Sequence, residues 1–175
     1  MTRSLAAALA LAAAAAPLGA QTARDDSAAV VAVVQRFLDG LSRRDTAVVR
    51  ATVIAGTPFV SLPSRGDIPP GVEPLDSAIA FLATTKERLL ERMWSPTVRV
   101  DGRIATVWTP YDFHVDGAFS HCGIDTFTLV QAGAAWRIAS VVYTTQRTGC
   151  APSPLGPPPP RPRAPSPRPR CSRRP

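Results

Sequence analysis

Lysine is almost absent from this sequence of 175 residues, because its 20 basic residues are all arginine except Lys86. Acidic residues are absent from residues 151–175, which carry six arginines and 11 of the 19 prolines. Without Arg3 and those six arginines, the segment between Gln21 and Cys150 contains 13 basic and 13 acidic residues. The formal net charge of +7 therefore comes from the two ends. It gives no indication of a nucleic-acid-binding face on the domain between them.

The sequence also lacks an apolar run long enough to cross a membrane, which takes about 20 residues. The apolar stretch Leu5–Ala16 is shorter than that, follows the basic Arg3, and precedes Pro17 and the small residue Ala20. This arrangement is typical of a secretory signal peptide. It predicts a signal peptide at residues 1–20, with cleavage after Ala20 or alternatively after Ala23, and an exported protein that is periplasmic or secreted.

The acid-free end, residues 151–175, is rich in proline as well as arginine. Proline lacks a backbone hydrogen-bond donor, and few side chains here could be buried, so a disordered Pro/Arg-rich tail is predicted. Such a tail could contact anionic surfaces. It could equally reflect a GC-rich gene, in keeping with the preference for arginine over lysine, and have no selected role.

Cysteine is scarce, with three residues at Cys122, Cys150 and Cys171. An exported protein meets an oxidising compartment, so a disulfide is permitted, and Cys122–Cys150 is the candidate pair because both lie in or beside the predicted sheet. Cys171 lies in the tail. No His/Cys cluster has the spacing of zinc ligands and no glycine-rich loop could hold phosphates. The sequence therefore predicts no metal and no cofactor.

Three helices are predicted in the first half of the domain, residues 21–150. Apolar residues at helical spacing predict a helix over 26–44, with Asp26 or Ser27 as its N-cap. A short second helix follows the capping residue Asp45. A third is predicted from Leu75 or Asp76 to about Trp94, and its charged "KERLLER" face is expected to be solvated.

The second half of the domain shows the alternation of apolar and polar residues that is typical of strands. The Gly/Pro-rich segment between the second and third helices leaves room for a short strand around 59–62. Asp101-Gly102 and Asp116-Gly117 are hairpin signals, and a further turn is expected at Ala132-Gly133. Helices followed by an antiparallel meander predict an α+β architecture.

This order of elements resembles the nuclear transport factor 2-like superfamily, and the SnoaL-like group in particular. The closing run "FTLVQAGAAWRIASVVYT" is similar to the last two strands of that superfamily, and "DGAFSHCGIDTF" resembles a group of exported bacterial members. The resemblance covers residues 27–148. It implies a cone-shaped roll in which three N-terminal helices pack on a curved antiparallel sheet, with an internal pocket and often a homodimer formed through the sheet.

The hairpin around Asp116-Gly117 contains most of the side chains that could take part in catalysis or ligand binding. A two-residue turn pairs Val115 with Ala118, and counting outward sets Asp112 opposite His121. The same count sets Trp108 opposite Asp125. It predicts one face with Trp108, Asp112, His121, Asp125 and Phe127, and an opposite face with Tyr111, Phe113, Cys122 and Ile124.

The register across the next turn is predicted in the same way. It sets Ser140 opposite Asp125 and Thr144 opposite His121. Pro110 lies within the first strand of the hairpin and favours a β-bulge there, which would regroup the side chains.

An imidazole held by a carboxylate can act as a general acid or base near neutral pH. His121 with Asp112 or Asp125 is therefore the candidate catalytic set. Alternatively, these polar side chains form the solvated rim of a curved sheet and do no chemistry. The candidate ligand-binding residues are Trp108, Tyr111, Phe113, Phe127 and Ser140.

Two functions follow from this pattern. The first is an exported module without catalysis that binds a small apolar ligand or forms a homodimer through its sheet. The second is a cofactor-independent lyase or isomerase that uses the His-Asp pair in the cone pocket. Fold resemblance does not choose between them, because the same fold carries unrelated functions.

Overall fold

The computed structural model describes residues 18–159, with side chains described from residue 26 onward. The predictions for residues 1–17 and 160–175 lie outside the described residues. The three helices are α1 (Leu18–Arg43), α2 (Thr46–Thr52) and α3 (Leu75–Thr84). The seven strands are β1 (Pro58–Pro63), β2 (Gly71–Pro74), β3 (Leu89–Met93), β4 (Thr97–Asp101), β5 (Ile104–Val115), β6 (Ala118–Ala132) and β7 (Ala135–Thr145).

The strands form one curved, open sheet in the order β2-β1-β7-β6-β5-β3, and β4 pairs with β5 next to β3. The predicted α+β class with three helices packed on a curved sheet is confirmed. The prediction of a wholly antiparallel sheet is wrong in one place, because β1 runs parallel to β7. Hairpin signals report only strands that are neighbours in the chain, and β1 and β7 are far apart in sequence.

Two helix boundaries differ from the prediction. The first helix begins at Leu18 and runs through Asp26 and Ser27, so neither residue is its N-cap. Residues 20–25, just before the predicted start, contain no proline or glycine that would stop the helix. Asp45 does cap α2, since its carboxylate oxygen Oδ1 accepts a hydrogen bond from the Val48 N–H at 3.1 Å.

The third helix ends ten residues earlier than predicted, at Thr84. Thr85 takes an extended backbone conformation. The segment "LLERM", Leu89–Met93, then forms β3 and pairs antiparallel with β5. Its apolar residues fit a helical period and a strand period equally well, and pairing with a long neighbouring strand decides between them.

The core lies between α1 and the inner face of the sheet. Val30, Val34 and Phe37 of α1 are at most 1% exposed. They belong to one cluster with Val107 and Phe127 of the hairpin. Alternate residues of β5 are buried and exposed up to Thr109, which is the pattern of a sheet with one covered face. No helix in the described part of the chain is both long and apolar enough to span a membrane.

Candidate functional site

A β-bulge in the β5–β6 hairpin determines which side chains share each face of the sheet. Val115 pairs with Ala118, as predicted from the turn, but the register shifts between Phe113 and His114. Because Ser120 is the extra residue, Phe113 rather than Asp112 pairs with His121. The predicted pairing of Asp112 with His121 is therefore wrong. One inserted residue exchanges the faces of all later partners.

The shift regroups the predicted site residues. Asp112 pairs with Cys122, and Asp125 pairs with Thr109 rather than with Trp108. Asp125 also pairs with Tyr143 of β7 rather than with Ser140. The inner face therefore holds Tyr111, Phe113, His121, Asp125 and Phe127, whereas Trp108, Asp112 and Ser140 lie on the outer face.

A cavity of about 180 Å³ opens between the inner face of the sheet and helices α1 and α3. Most of its wall is apolar, and the polar residues that line it are Glu91, Tyr111, His121, Asp125 and Tyr143. A concave, mostly apolar space with a few converging polar groups is the usual form of a small-molecule site. Its apolar lining includes Phe37, Leu41, Phe59, Leu82, Phe127 and Val141.

Glu91 belongs to β3, where it pairs with Phe113 and therefore lies on the inner face. Burial raises the pKa of the Glu91 carboxyl from 4.5 to about 7, although a hydrogen bond with Asp125 works in the opposite direction. The charge of Asp112 adds to the increase. Glu91 thus changes its ionisation near neutral pH.

Asp125 is 1% exposed. Burial raises its pKa well above the ordinary value, and both the negative charge of Glu91 and the hydrogen bond between the two carboxyl groups raise it further. Asp125 is buried and Glu91 half-buried, and two adjacent carboxyls in such a site cannot both ionise cheaply, so the pair favours keeping a proton. The Asp125 oxygen Oδ2 is buried and has no hydrogen-bond partner among residues 26–159.

The two tyrosines of the cavity differ in their hydrogen bonds. Tyr111 is 1% exposed and donates its hydroxyl proton to the Thr144 carbonyl oxygen at 2.8 Å. Gly123 makes this contact possible, because a Cβ there would overlap the Thr144 carbonyl and approach the Tyr111 ring to 2.8 Å. Burial and nearby carboxylates raise the pKa of both Tyr111 and Tyr143. A side-chain hydrogen bond with Ser61 partly offsets the increase for Tyr143.

His121 lies at the edge of the cavity. Its ring stacks on Phe113 with the ring centres 5.0 Å apart, and its Nδ1 is 3.0 Å from the Ser120 hydroxyl oxygen. Burial lowers the pKa of the imidazole, and the positive charge of Arg147 lowers it further. Both effects favour the neutral imidazole.

The outer face has a different acid cluster. Arg92 holds Asp112 with two hydrogen bonds, Nε to Oδ1 at 2.9 Å and Nη2 to Oδ2 at 2.6 Å, and His114 Nε2 is 3.3 Å from Oδ2. Burial alone would raise the pKa of Asp112, but hydrogen bonds from Arg92 and His114 and their charges hold it below its ordinary value. Asp112 is thus separated from His121 by the sheet and orients a different histidine.

A disulfide joins Cys122 to Cys150 on this outer face. The chain continues past the predicted domain boundary across the same face. The Gly156 carbonyl accepts a hydrogen bond from Arg92 at 3.0 Å, and the Pro159 carbonyl accepts one from Arg88 at 3.1 Å. The first nine residues of the predicted tail therefore form a strap, residues 151–159, against the sheet.

Comparison with protein-family sequence profiles and with curated proteins finds no match. Many solved structures, however, share the architecture. One is an NTF2-like protein with a cystatin-like fold from Novosphingobium aromaticivorans, at 16% identity over 77% of this chain and 90% of that one, with a TM-score of 0.59.

The chain has the NTF2-like fold. A Shewanella baltica NTF2-like protein of unknown function is similar at 14% identity, 70% of this chain, 95% of that one, and a TM-score of 0.55. A proposed dehydratase of the NTF2-like family from Streptomyces avermitilis is similar at 14% identity, 70% and 97% coverage, and a TM-score of 0.58. At these identities the likeness establishes the fold and leaves the activity open. The narrower SnoaL-like assignment stays a prediction.

Three important residues of this NTF2-like domain are missed by the sequence analysis. Glu91 and Arg92 were expected on a solvated helix face, yet they lie on opposite faces of β3. Tyr143 was not singled out as a site residue. The alternation Leu89, Glu91, Met93 was the available signal, since it places a carboxyl in an otherwise apolar stripe. Within the described part of the chain, no group of acids, histidines and cysteines could hold a metal ion.

Proposed function

We propose that this domain binds a small, mostly apolar molecule with one polar end in its inner cavity. One observation carries the proposal: the carboxyl pair of Glu91 and Asp125 lies in an apolar cavity, and Asp125 Oδ2 has no partner among the described residues. A buried polar atom without a partner costs free energy. A ligand group that bonds to it would remove that cost, while the apolar wall holds the rest of the molecule.

Native mass spectrometry of the full chain, purified without reductant, tests ligand binding. We expect a defined added mass that disappears in Ala78→Phe, because Ala78 lines the cavity and a phenyl ring would fill it. Ala80→Phe on the exposed side of α3 is the matched control and should keep the added mass. A chain without added mass, whose melting temperature changes with no small apolar compound, would contradict the proposal.

A second candidate function is proton transfer without a cofactor, as in a lyase or isomerase. It is favoured by the Glu91–Asp125 pair, which can take up and release a proton near neutral pH. It is also favoured by the likeness to a proposed dehydratase. The pairing of His121 with Asp112 cannot serve, because the two residues lie on opposite faces of the sheet. Asp125 shares the inner face with His121 and stays in the proposed set, now together with Glu91.

The exchange of the α-protons of cyclohexanone in D₂O, followed by NMR, tests this second function. Acid–base catalysis by a positioned group contributes about 10²-fold or more to such a step. The wild-type chain should therefore accelerate the exchange, and Asp125→Asn should abolish the acceleration. Equal exchange rates with the two proteins would remove proton transfer as a candidate and leave ligand binding in place.

We further propose a homodimer formed through the outer face of the sheet. Trp108 is 55% exposed and Ile104 is 50% exposed, and both lie on this face of β5. Exposed apolar residues gathered on one face are typical of protein–protein interfaces. Trp108→Glu should give a monomer in light scattering after gel filtration, whereas Ile68→Glu in an exposed loop should not. A monomeric wild-type chain would contradict the dimer.

Export and a surface-binding tail complete the proposal. The signal-peptide pattern and the Cys122–Cys150 disulfide support export. The mature chain from a bacterial periplasm should begin at Gln21.

The six tail arginines support contact with anionic surfaces. Vesicles with anionic lipid should retain the full chain and release a chain that ends at residue 159, and equal retention would contradict the role of the tail.

A further inference from the structure

The charge of the inner cavity restricts what can bind there. Its titratable lining consists of two acids, Glu91 and Asp125, with His121 and the two tyrosines, and no lysine or arginine is among its lining residues. Charged groups outside the lining also shift these pKa values. The positive charge of Arg147 lowers the pKa of His121, and the negative charges of Glu73 and Asp112 raise the pKa values of Tyr143 and Glu91. An anionic ligand would place a further negative charge beside the carboxyl pair, with no cation among the lining residues to balance it.

The hydrogen-bonding groups of the cavity favour a ligand that donates. The Tyr111 hydroxyl already donates its proton to the Thr144 carbonyl, so it is not available to a ligand carbonyl. Asp125 Oδ2 is a buried carboxyl oxygen without a partner among residues 26–159, and it accepts a hydrogen bond when the carboxyl is ionised. Once ionised, the carboxyl pair offers further acceptor positions and loses its own donor.

The wall of the cavity suits a positive charge with a compact apolar body. Phe113, Phe127 and Tyr143 line the space around the two acids. The faces of aromatic rings attract a cation, and the attraction grows when water is excluded. An ammonium group can satisfy both a carboxylate and an aromatic face, which a neutral hydroxyl does less well.

We infer that the ligand of the inner cavity is a small primary amine, bound as its ammonium ion by the carboxyl pair of Glu91 and Asp125. This inference rests on the proposed ligand-binding function and names the class of ligand. On binding, the ammonium keeps its three protons. The carboxyl pair gives up one proton to the solvent, so that a carboxylate faces the cation.

Three probes of the same shape and different charge test the inference by calorimetry on the disulfide-intact full chain at pH 6.5. They are benzylamine, benzyl alcohol and benzoate. We expect benzylamine to bind at least about tenfold more tightly than benzyl alcohol, and benzoate not to bind. Titrations in two buffers of different ionisation enthalpy should show that benzylamine binding releases about one proton, and that benzyl alcohol binding releases none.

Variants assign the effect to the carboxyl pair. Asp125→Asn should weaken benzylamine binding by about tenfold or more and leave benzyl alcohol binding within about threefold. Glu87→Gln, an exposed acid just before β3, is the matched control and should leave both affinities unchanged. Thermal melts of both variants establish that the fold is intact.

The outcomes separate this inference from the proposed function. If benzyl alcohol binds as tightly as benzylamine, or if benzoate binds, the cavity takes small ligands and the amine class is wrong. Benzylamine binding that Asp125→Asn leaves unchanged would also overturn the inference. If none of the three probes binds, the proposed function and the amine class fall together.

Discussion

Glu91 and Arg92 are neighbours on β3, and they lie on opposite faces of the same sheet. On the inner face, Glu91 interacts with a second acid, Asp125, and burial raises the pKa of both carboxyls. On the outer face, Arg92 holds Asp112 at 2.6 Å and lowers its pKa. Asp125 and Asp112 are both buried, at 1% and 4% exposed, yet their pKa values shift in opposite directions, because Asp112 has a cation beside it and Asp125 does not.

The difference separates an acid that is paired within the protein from an acid pair that has no cation. A buried acid with two hydrogen bonds from an arginine is satisfied within the protein. A buried acid pair with an unpartnered oxygen reduces stability at neutral pH unless something binds to it. Natural proteins accept such a cost mainly at functional sites. The inner face is therefore the face on which we propose that a ligand binds, although His114 Nδ1 on the outer face is also buried without a partner among residues 26–159.

The largest expected effect comes from Gly123→Ala, which would break the inner face. A Cβ at this position would overlap the backbone carbonyl of Thr144 and crowd the Tyr111 ring. Backbone cannot move aside as a side-chain tip can, so we expect a loss of about 4 kcal/mol in the free energy of unfolding, or failure to fold. Urea denaturation measures it.

Gly71→Ala is the control for that substitution. Its Cβ would approach the Ser61 side-chain oxygen to 3.0 Å, and a side-chain oxygen can shift by the few tenths of an ångström that are needed. We expect a cost below about 1 kcal/mol. Equal costs for the two glycines would show that the close approach of β6 to Thr144 and Tyr111 does not hold.

Arg92→Met tests the outer face and should have the next largest effect. It leaves Asp112 buried without its cation, at a cost of about 3 kcal/mol at pH 7. The exposed pair Arg50–Asp76 gives the control, because Arg50→Met should cost less than about 1 kcal/mol. Chemical denaturation at pH 7 compares the two.

The cost of Arg92→Met should also depend on pH. The pKa of Asp112 is lowered in the folded state, so its pairing contributes stability above the unfolded value of 3.8 and loses it as the pH falls through the folded pKa. The difference between wild type and Arg92→Met should therefore shrink in strong acid. A difference that persists there would mean that Arg92 acts through packing or through the strap.

Asp125→Asn should have the smallest effect and the opposite sign. The pKa of the inner carboxyls is raised in the folded state, so their cost is absent below the ordinary values and grows as the pH rises towards and beyond 7. We expect Asp125→Asn to stabilise the chain by about 1–2 kcal/mol at pH 8 and to change little at pH 4.

Thermal denaturation at the two pH values measures this gain. Asp39→Asn, an acid that pairs with Arg43 at the surface of α1, is the control and should change stability by less than about 0.5 kcal/mol at both pH values. Destabilisation by Asp125→Asn at pH 8 would show that Asp125 is ionised and satisfied in the wild-type chain.

The fold could be predicted from the sequence to a large extent, because periodicity and turn residues are local signals. The helix before Asp45, the cap at Asp45 and the turn at Asp116-Gly117 follow from them. The segment at Glu91 was predicted as part of the third helix, and that was wrong, because these five residues form a strand through pairing with β5.

The site could be predicted only in part. Asp125, His121 and Phe127 were placed together, whereas Asp112 and Trp108 were assigned to the wrong face. The reason is one bulge residue, Ser120. A strand has a side-chain period of two, so a shift of one residue changes every contact beyond it. The bulge expected from Pro110 in β5 is not there, because Pro110 pairs regularly with Ile124 and the extra residue lies in β6.

The most direct test of this account is a ¹³C NMR titration of the side-chain carboxyl carbons in the full chain. Glu91→Gln, Asp125→Asn and Asp112→Asn variants assign the signals. We expect Glu91 to titrate at about pH 7, Asp125 to titrate well above 3.8, and Asp112 to stay ionised below 3.8. If Glu91 and Asp125 both titrate near their ordinary values while Asp112 does not, the two faces do not differ as described and the inner carboxyl pair does not hold a proton at neutral pH.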